Sequence, residues 1–362
     1  MKIKLNLTPW LFLAPALIYF TIMVIYPIIG SVHISFHDWN GTQFKCSDGR
    51  DIKSLQENEF CRKIPDMKYV GFENYERFFK KTPKDLNKIK KYWQKVFDPG
   101  DNKIGVPVLD QGIGLISTLT DGKKTKWPRL SIETKIILNT LKWLIFFPLA
   151  IPIGLGLALF LNQIGWFVKL SKSLIFFPFV ISSAVIGFVF QFFYDPNGGL
   201  LSPVYEILGW NDGIIGDKDK ATYGIVVAAW YRQIGYCLII YLAGLTAVNH
   251  EQIEAARMDG ASGWKLFRYI VLPQLWPATF VAFVVTIIGA LRTDSFDMTQ
   301  IMTEGGPGRG ASDVMSRYMF QKTLFDQDYG YGSAISVLLF MFMLIFIITF
   351  IIRMYYQDEN LR

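Results

Sequence analysis

Five charged residues stand inside long apolar runs of this sequence: Lys142, which reads as snorkelling from the outer end of its run, and Arg232, Arg292, Asp294 and Asp297. A charge held in hydrocarbon costs at least about 2.5 kcal/mol, so such positions mark solute pathways, ion pairs or both. Trp230, Tyr231 and Gln233 flank Arg232. Aromatic faces beside hydrogen-bonding groups suit a sugar, which has apolar ring faces and hydroxyl edges. Apart from Lys142, these residues together form the candidate substrate pathway. The competing arrangement is an ion-pair cluster of Arg292, Asp294 and Asp297 that stabilises a helix end near the outer interface. Bond-making chemistry has no counterpart here: the chain carries no phosphate-binding loop, zinc-protease helix or nucleophile elbow. His33 and His37 share a helical spacing, but no third ligand follows at a defined distance. No catalytic residue, metal or cofactor is therefore expected in the chain. Cys46 and Cys61 lie in a polar segment expected outside the membrane, where thiols oxidise. They either pair as a disulfide or remain two free thiols, whereas Cys237, inside an apolar run, reads as packing.

The elements that must position these residues are membrane helices. Of 362 residues, 51% are hydrophobic and only 19% charged, against about 25% charged in soluble domains. Six apolar runs reach membrane-spanning length: Trp10 to Ile29, Ile136 to Leu161, Leu174 to Tyr194, Tyr223 to Val248, Trp276 to Asp297, and Ser333 to Ile352. Lipid offers the backbone no hydrogen bonds, and the runs do not alternate as barrel strands would, so the fold is all-α. Residues 1–32 read as a retained signal-anchor helix, 33–135 as a large extracytoplasmic loop or small cap domain, and 136–362 as a core of five helices. The apolar patch from Ile104 to Leu119 would be the core of the cap.

Lys169 and Lys172 mark one short loop as cytoplasmic; Arg257, Lys265 and Arg268 mark another. Both termini then face the cytoplasm. The formal charge of +7 owes much to lysines of the long loop, so lipid rather than nucleic acid is the expected surroundings. Gly305, Gly306, Gly308 and Gly310, with Pro307, lack the context of a nucleotide site and read as a turn on the outer side.

The cytoplasmic loop 249–275 is the most patterned segment. Asn249 is placed to cap a helix, with Gln252 reaching back in a capping box. Gly260 ends that helix, Ser262 caps a second, and Pro273 ends it. Trp264, Phe267 and Ile270 recur on one face of the second helix. So small a loop cannot bury its own apolar side, which must rest on a partner protein or on lipid headgroups.

Glu254, Ala255, Ala256, Asp259, Gly260, Ala261, Phe267, Ile270, Leu272 and Pro273 stand at fixed spacing in this loop. The pattern resembles the signature of permease subunits of binding-protein-dependent ABC importers. Other segments are similar to the maltose-type sugar permeases within that family: Tyr69 to Tyr75, Asn139 to Leu141, Ala243 to Leu245, Gly305 to Gly308, and Tyr329 to Ala334. The stretch between Lys80 and Ser131 is longer than most such permeases carry. The resemblance implies a six-helix importer permease with no catalytic site of its own, in the bacterial cytoplasmic (inner) membrane. Its partners would be a second permease subunit, a dimer of ATP-binding subunits that hold ATP and Mg, an extracytoplasmic solute-binding protein and a sugar. Glu254, Ala255, Ala256, Asp259, Gly260, Ala261, Phe267 and Pro273 would couple to the ATPase. An ion-coupled secondary transporter of a small polar solute is the alternative, and it would need no such loop.

Overall fold

A computed structural model of the chain describes residues 7–41, 43–46, 61–64, 67–96, 130–162, 165–308 and 310–359. The cap core expected from Ile104 to Leu119 lies outside the described residues. Among the described residues five helices are long and apolar enough to cross a membrane, and six if one bent pair counts as a single span. The chain packs as two units, Met1–Lys80 with Tyr318–Phe342, and Lys81–Arg317 with Met343–Arg362.

In the first unit, α1 (Leu7–Phe20) runs through a π turn at Thr21–Ile25 into α2 (Tyr26–Ser35). Four short strands follow among the described residues: β1 (His37–Asp38), β2 (Gln43–Cys46), β3 (Cys61–Ile64) and β4 (Lys68–Tyr69). β1 pairs antiparallel with β4, and β2 with β3, so the helical fold carries two small ladders. Helix α3 (Glu73–Phe79) closes the base. Asn74 Nδ2 donates to the carbonyls of Ser35 (2.9 Å) and His37 (3.0 Å), and the Ser35 and Tyr75 hydroxyls are 2.6 Å apart. The Tyr69 to Tyr75 segment thus fastens the end of the first span. Gly330 N–H donates to Trp39 O (3.1 Å). Arg77 pairs with Asp328 at 2.7 Å and lies over the Tyr331 ring. Burial alone would lower the Arg77 pKa, but the Asp328 carboxylate outweighs it and the net shift is upward.

The second unit begins with α4 (Thr82–Val96). Asp85, with a side chain only 3% exposed, accepts from Ser131 N–H (2.7 Å) and Thr134 Oγ1 (3.0 Å), which ties α4 to the start of the second span. Burial would raise this carboxyl, yet hydrogen bonds from Lys88, Ser131 and Thr134 hold it well below the usual carboxylate range. Helices α5 (Ile132–Phe146) and α6 (Ala150–Phe160) form the second span around a 3₁₀ turn containing Pro148.

The third apolar run is not one straight span. It is α7 (Trp166–Val180) and α8 (Ser183–Phe193), bent by 102°. Pro178 lies inside the last turn of α7, and Ile181 and Ser182 leave the helical region with ψ of 142° and 138°. A proline removes a helical hydrogen bond, so a break just beyond it is inexpensive. Helix α7 also takes in Lys169 and Lys172, which the sequence suggested were loop. The 26-residue α9 (Ala221–Thr246) is the central element and buries one side along its length. Its Ile225 packs in a core with Trp143, Phe147 and Met298 toward one end, and its Leu238 and Tyr241 pack with Leu275 toward the other. The fifth span comprises α11 (Trp276–Leu291) and α12 (Thr293–Met302), with the break at Arg292. Between α9 and α11 lies α10 (His250–Met258), and α13 (Tyr329–Glu359) ends the described chain.

Candidate functional site

The bend of the third span meets the ionisable residues of the fourth and fifth. Arg232 Nη1 donates to Asp294 Oδ1 at 2.5 Å, and the Asp294 side chain is 7% exposed against 22% for Arg232. The guanidinium lies 5.1 Å from the centre of the Phe179 ring, two residues before the bend. Just past the bend, Ser183 Oγ donates to Asp297 Oδ2 at 2.6 Å. The break at Arg292 and the bare Gly289 make room for the Asp294 carboxylate, because a Cβ at residue 289 would overlap it. The buried Arg232 Nε has no protein partner among the described residues.

The sequence-derived pathway residues therefore divide. Arg232, Asp294 and Asp297 converge on the bend. Trp230 donates its ring N–H to Phe146 O at 3.1 Å, and Gln233, 2% exposed, donates to Thr286 Oγ1 at 2.6 Å, so both serve packing inside the subunit. Tyr231 and Arg292 are exposed. Among the described residues Arg292 forms no ion pair, and the partner of Asp294 comes from α9. The cluster of Arg292 with both aspartates is not the arrangement formed.

The loop between α9 and α11 has the opposite character, with its functional candidates outside. Asn249 Oδ1 caps α10 by accepting from Glu251 N–H (2.8 Å) and Gln252 N–H (3.4 Å). The helix ends in a Schellman motif: Ala261 N–H bonds to Ala256 O (2.8 Å), Gly260 N–H bonds to Arg257 O (3.0 Å), and Gly260 has φ +82°. Nothing lies within 4 Å of a Cβ placed on Gly260, so its backbone is bare toward the exterior. Glu254, Ala255 and Asp259 are exposed, Ala256, Ala261 and Phe267 half-buried. Met258 is 88% and Trp264 67% exposed.

Three details differ from expectation. Gln252 does not close the capping box; Gln274 does, accepting from Asn249 N–H (2.8 Å) while donating to Gln252 Oε1 (2.9 Å). Ser262 occupies the N-cap of Gly263–Leu266 without a side-chain bond. Pro273 does not stop the helix. The turn before it widens into a π segment, Phe267–Val271, and Pro273 then sits in the first turn of Leu272–Gln274, where a missing N–H is tolerated.

Residues 150–361, more than half of the chain, match the family described as "Binding-protein-dependent transport system inner membrane component". This chain belongs to that family. It is 29% identical over 353 residues to a probable ABC transporter permease protein of Pyrococcus horikoshii, covering 97% of this chain and 96% of the relative. It is 26% identical over 343 residues to the trehalose/maltose transport system permease protein of Thermococcus litoralis, covering 94% and 92%. Among solved structures, a bacterial ABC transporter involved in the import of the acidic polysaccharide alginate has the same fold, at a TM-score of 0.63, 18% identity, and coverage of 96% and 95%.

Beyond the far end of the fifth span, this permease carries a glycine-rich loop whose support the sequence did not reveal. Gly305, Gly306, Gly308 and Gly310 all have positive φ, between 70° and 110°. They fold the loop over a buried pair, Arg317 and Asp313, at 3.0 Å with side chains 10% and 8% exposed. Burial drives the Asp313 pKa up, and Arg317 only partly offsets this. Asn139 Nδ2 reaches the carbonyls of Gly310 (3.2 Å), Ala311 (2.9 Å) and Asp313 (3.1 Å), while Met315 N–H donates to Thr140 Oγ1 (3.1 Å). Ser183, Phe179, Gln274 and Arg317 are the contributors that sequence reasoning missed. A serine or phenylalanine in an apolar run, or a glutamine at a helix end, carries no spacing signal.

Proposed function

We propose that this permease forms half of the translocation pathway of an ATP-driven sugar importer in the bacterial cytoplasmic membrane. The observation that carries the reading is the geometry of residues 249–274. The helix satisfies its own ends, its Gly260 backbone is bare, and Glu254, Met258 and Trp264 face away from the subunit. Such a loop is suited to a cleft on a cytoplasmic ATPase dimer, which would hold ATP and Mg and supply the energy. It is joined directly to the fourth and fifth spans, the spans that carry Arg232 and Asp294. Movement of the loop would therefore reach the polar cluster by rigid-body rocking. This subunit would do no catalysis, and both termini would lie in the cytoplasm.

The sugar assignment rests on relatives named for α-glucoside and trehalose/maltose transport and on the cluster of aromatic, guanidinium and carboxylate groups at the bend. A second permease would complete the pathway. A solute-binding protein would deliver substrate, as the periplasmic protein seen with a transporter of this fold suggests.

The test is uptake of labelled sugars by the complex reconstituted with its ATPase. Uptake should require hydrolysable ATP, and Arg232→Ala or Asp297→Ala should change its rate or sugar preference. Unchanged rate and preference in both variants would remove the pathway assignment. Uptake driven by an ion gradient through this chain alone would replace the importer with a secondary transporter.

A further inference from the structure

We propose that Cys46 and Cys61 are joined by a disulfide that closes the far end of a two-ladder hairpin arm following the first span. The strand register carries the proposal. His37 stands opposite Tyr69 and Asp38 opposite Lys68 in the first ladder. Gln43 stands opposite Ile64, Phe44 opposite Lys63, Lys45 opposite Arg62, and Cys46 opposite Cys61 in the second. Pairing advances along one segment as it retreats along the other, and the registers of the two ladders differ by a single residue. The cysteines form the last rung among the described residues.

Directly opposed residues of an antiparallel pair have Cα atoms about 4.5–5.5 Å apart, and disulfides bridge Cα separations of about 4.4–6.8 Å. An antiparallel rung thus offers a Cα spacing that a disulfide can bridge. An isolated two-stranded ladder is marginal in water, and β2 and β3 span only four residues each. A covalent link at the Cys46–Cys61 rung supplies what so short a ladder lacks. Among the described residues the remaining cysteine, Cys237, is free and fully buried in α9, so it does not compete.

The bond forms by two exchanges with a disulfide-bearing oxidant. One thiolate attacks the oxidant to give a mixed disulfide, and the second thiolate displaces the oxidant from it. The two cysteines lose two protons and two electrons, and the oxidant leaves as a dithiol. The proposal rests on the reading that residues 33–135 face the extracytoplasmic side, the compartment in which such oxidants operate.

The experiment uses the full chain purified from membranes, denatured in iodoacetamide without reductant and weighed intact. Of the three cysteines, one should take the label, rising to three after reduction. Trypsin cleavage at Arg50 or Lys53 should leave two fragments that separate on a gel only with reductant. Cys46→Ser is the positive control and should take two labels without reductant. Three labels on the unreduced wild type would overturn the disulfide. Orientation is read separately with Glu73→Cys, an exposed site on α3, and a membrane-impermeant maleimide on right-side-out vesicles. Labelling of that site together with three free native thiols sinks the disulfide and leaves the topology standing. A site that stays protected until the membrane is opened overturns the topology, and the proposal with it.

Discussion

The fifth span ends in two loops that are both bent by glycines at positive φ and are otherwise opposites. On one side, residues 249–274 point Glu254, Met258 and Trp264 outward, and Gly260 has open space around it. On the other, the glycine-rich loop turns inward. Ser312, Asp313 and Val314 are at most 5% exposed, and the backbones of Gly305 and Gly306 pack on Arg317 and Ser312. A loop that satisfies its backbone locally while leaving large side chains exposed is shaped for something outside the chain. A loop whose charges are paired and buried is shaped for the fold. The same residue type, glycine, thus serves two purposes: at Gly260 only the dihedral demands it, whereas at Gly306 both dihedral and space do.

The contrast is sharpest where charge is buried. Asp313→Ala or Arg317→Ala leaves one uncompensated ion and should cost about 3–5 kcal/mol, read as a large drop in thermal midpoint in detergent. A change no larger than a surface substitution would mean that the loop is not the structural member of the pair. The two glycines test the comparison next. A Cβ at Gly306 would lie 2.5 Å from Ser312 N, so Gly306→Ala adds overpacking of about 1–3 kcal/mol to backbone strain of about 1–2 kcal/mol. Gly260→Ala carries the strain alone. It should shift the midpoint less while weakening co-purification of the ATPase more. Equal effects of the two on both readouts would dissolve the distinction. Asn139→Ala should follow at about 1–3 kcal/mol, because the carbonyls of Gly310, Ala311 and Asp313 lose their shared donor. Hydrogen exchange localised to 303–315 would check it.

What the sequence disclosed follows from the ranges of its signals. Hydropathy located the apolar runs, since each needs only a stretch of about 20 residues. The cost of buried charge singled out Arg232, Asp294 and Asp297, though not who pairs with whom: α9 and α12 are brought together by tertiary packing, so Asp294 meets Arg232 rather than Arg292. Hydropathy passes unbroken through Ile181 and Ser182, and nothing in it reports the 102° bend. The pattern of residues 249–273 set the loop apart as one with an uncovered apolar side, but local capping rules favoured Gln252 three residues on, and a glutamine 25 residues away took that bond. Pro273 was read as a stop for the same reason. A π turn that absorbs a proline has no signature in spacing.

The smallest expected effect is the most informative about transmission. Gln274 stands between the loop that begins at Asn249 and the fifth span, and its side chain holds Asn249 N–H and Gln252 Oε1 together across both ends of that loop. These bonds are exposed, so Gln274→Ala should cost no more than about 0.5–1.5 kcal/mol and leave the thermal midpoint nearly unchanged. Its effect should appear instead as faster amide exchange over 250–258 and as ATP hydrolysis that drives less uptake per turnover. Gln274→Glu retains an acceptor for Asn249 N–H but loses the donor to Gln252, and should fall between alanine and wild type. If the alanine variant transports as well per ATP as the parent, the loop needs no tie at its base. Stiffness would then have to come from the Schellman end and from the packing of Ile253 against the core below it.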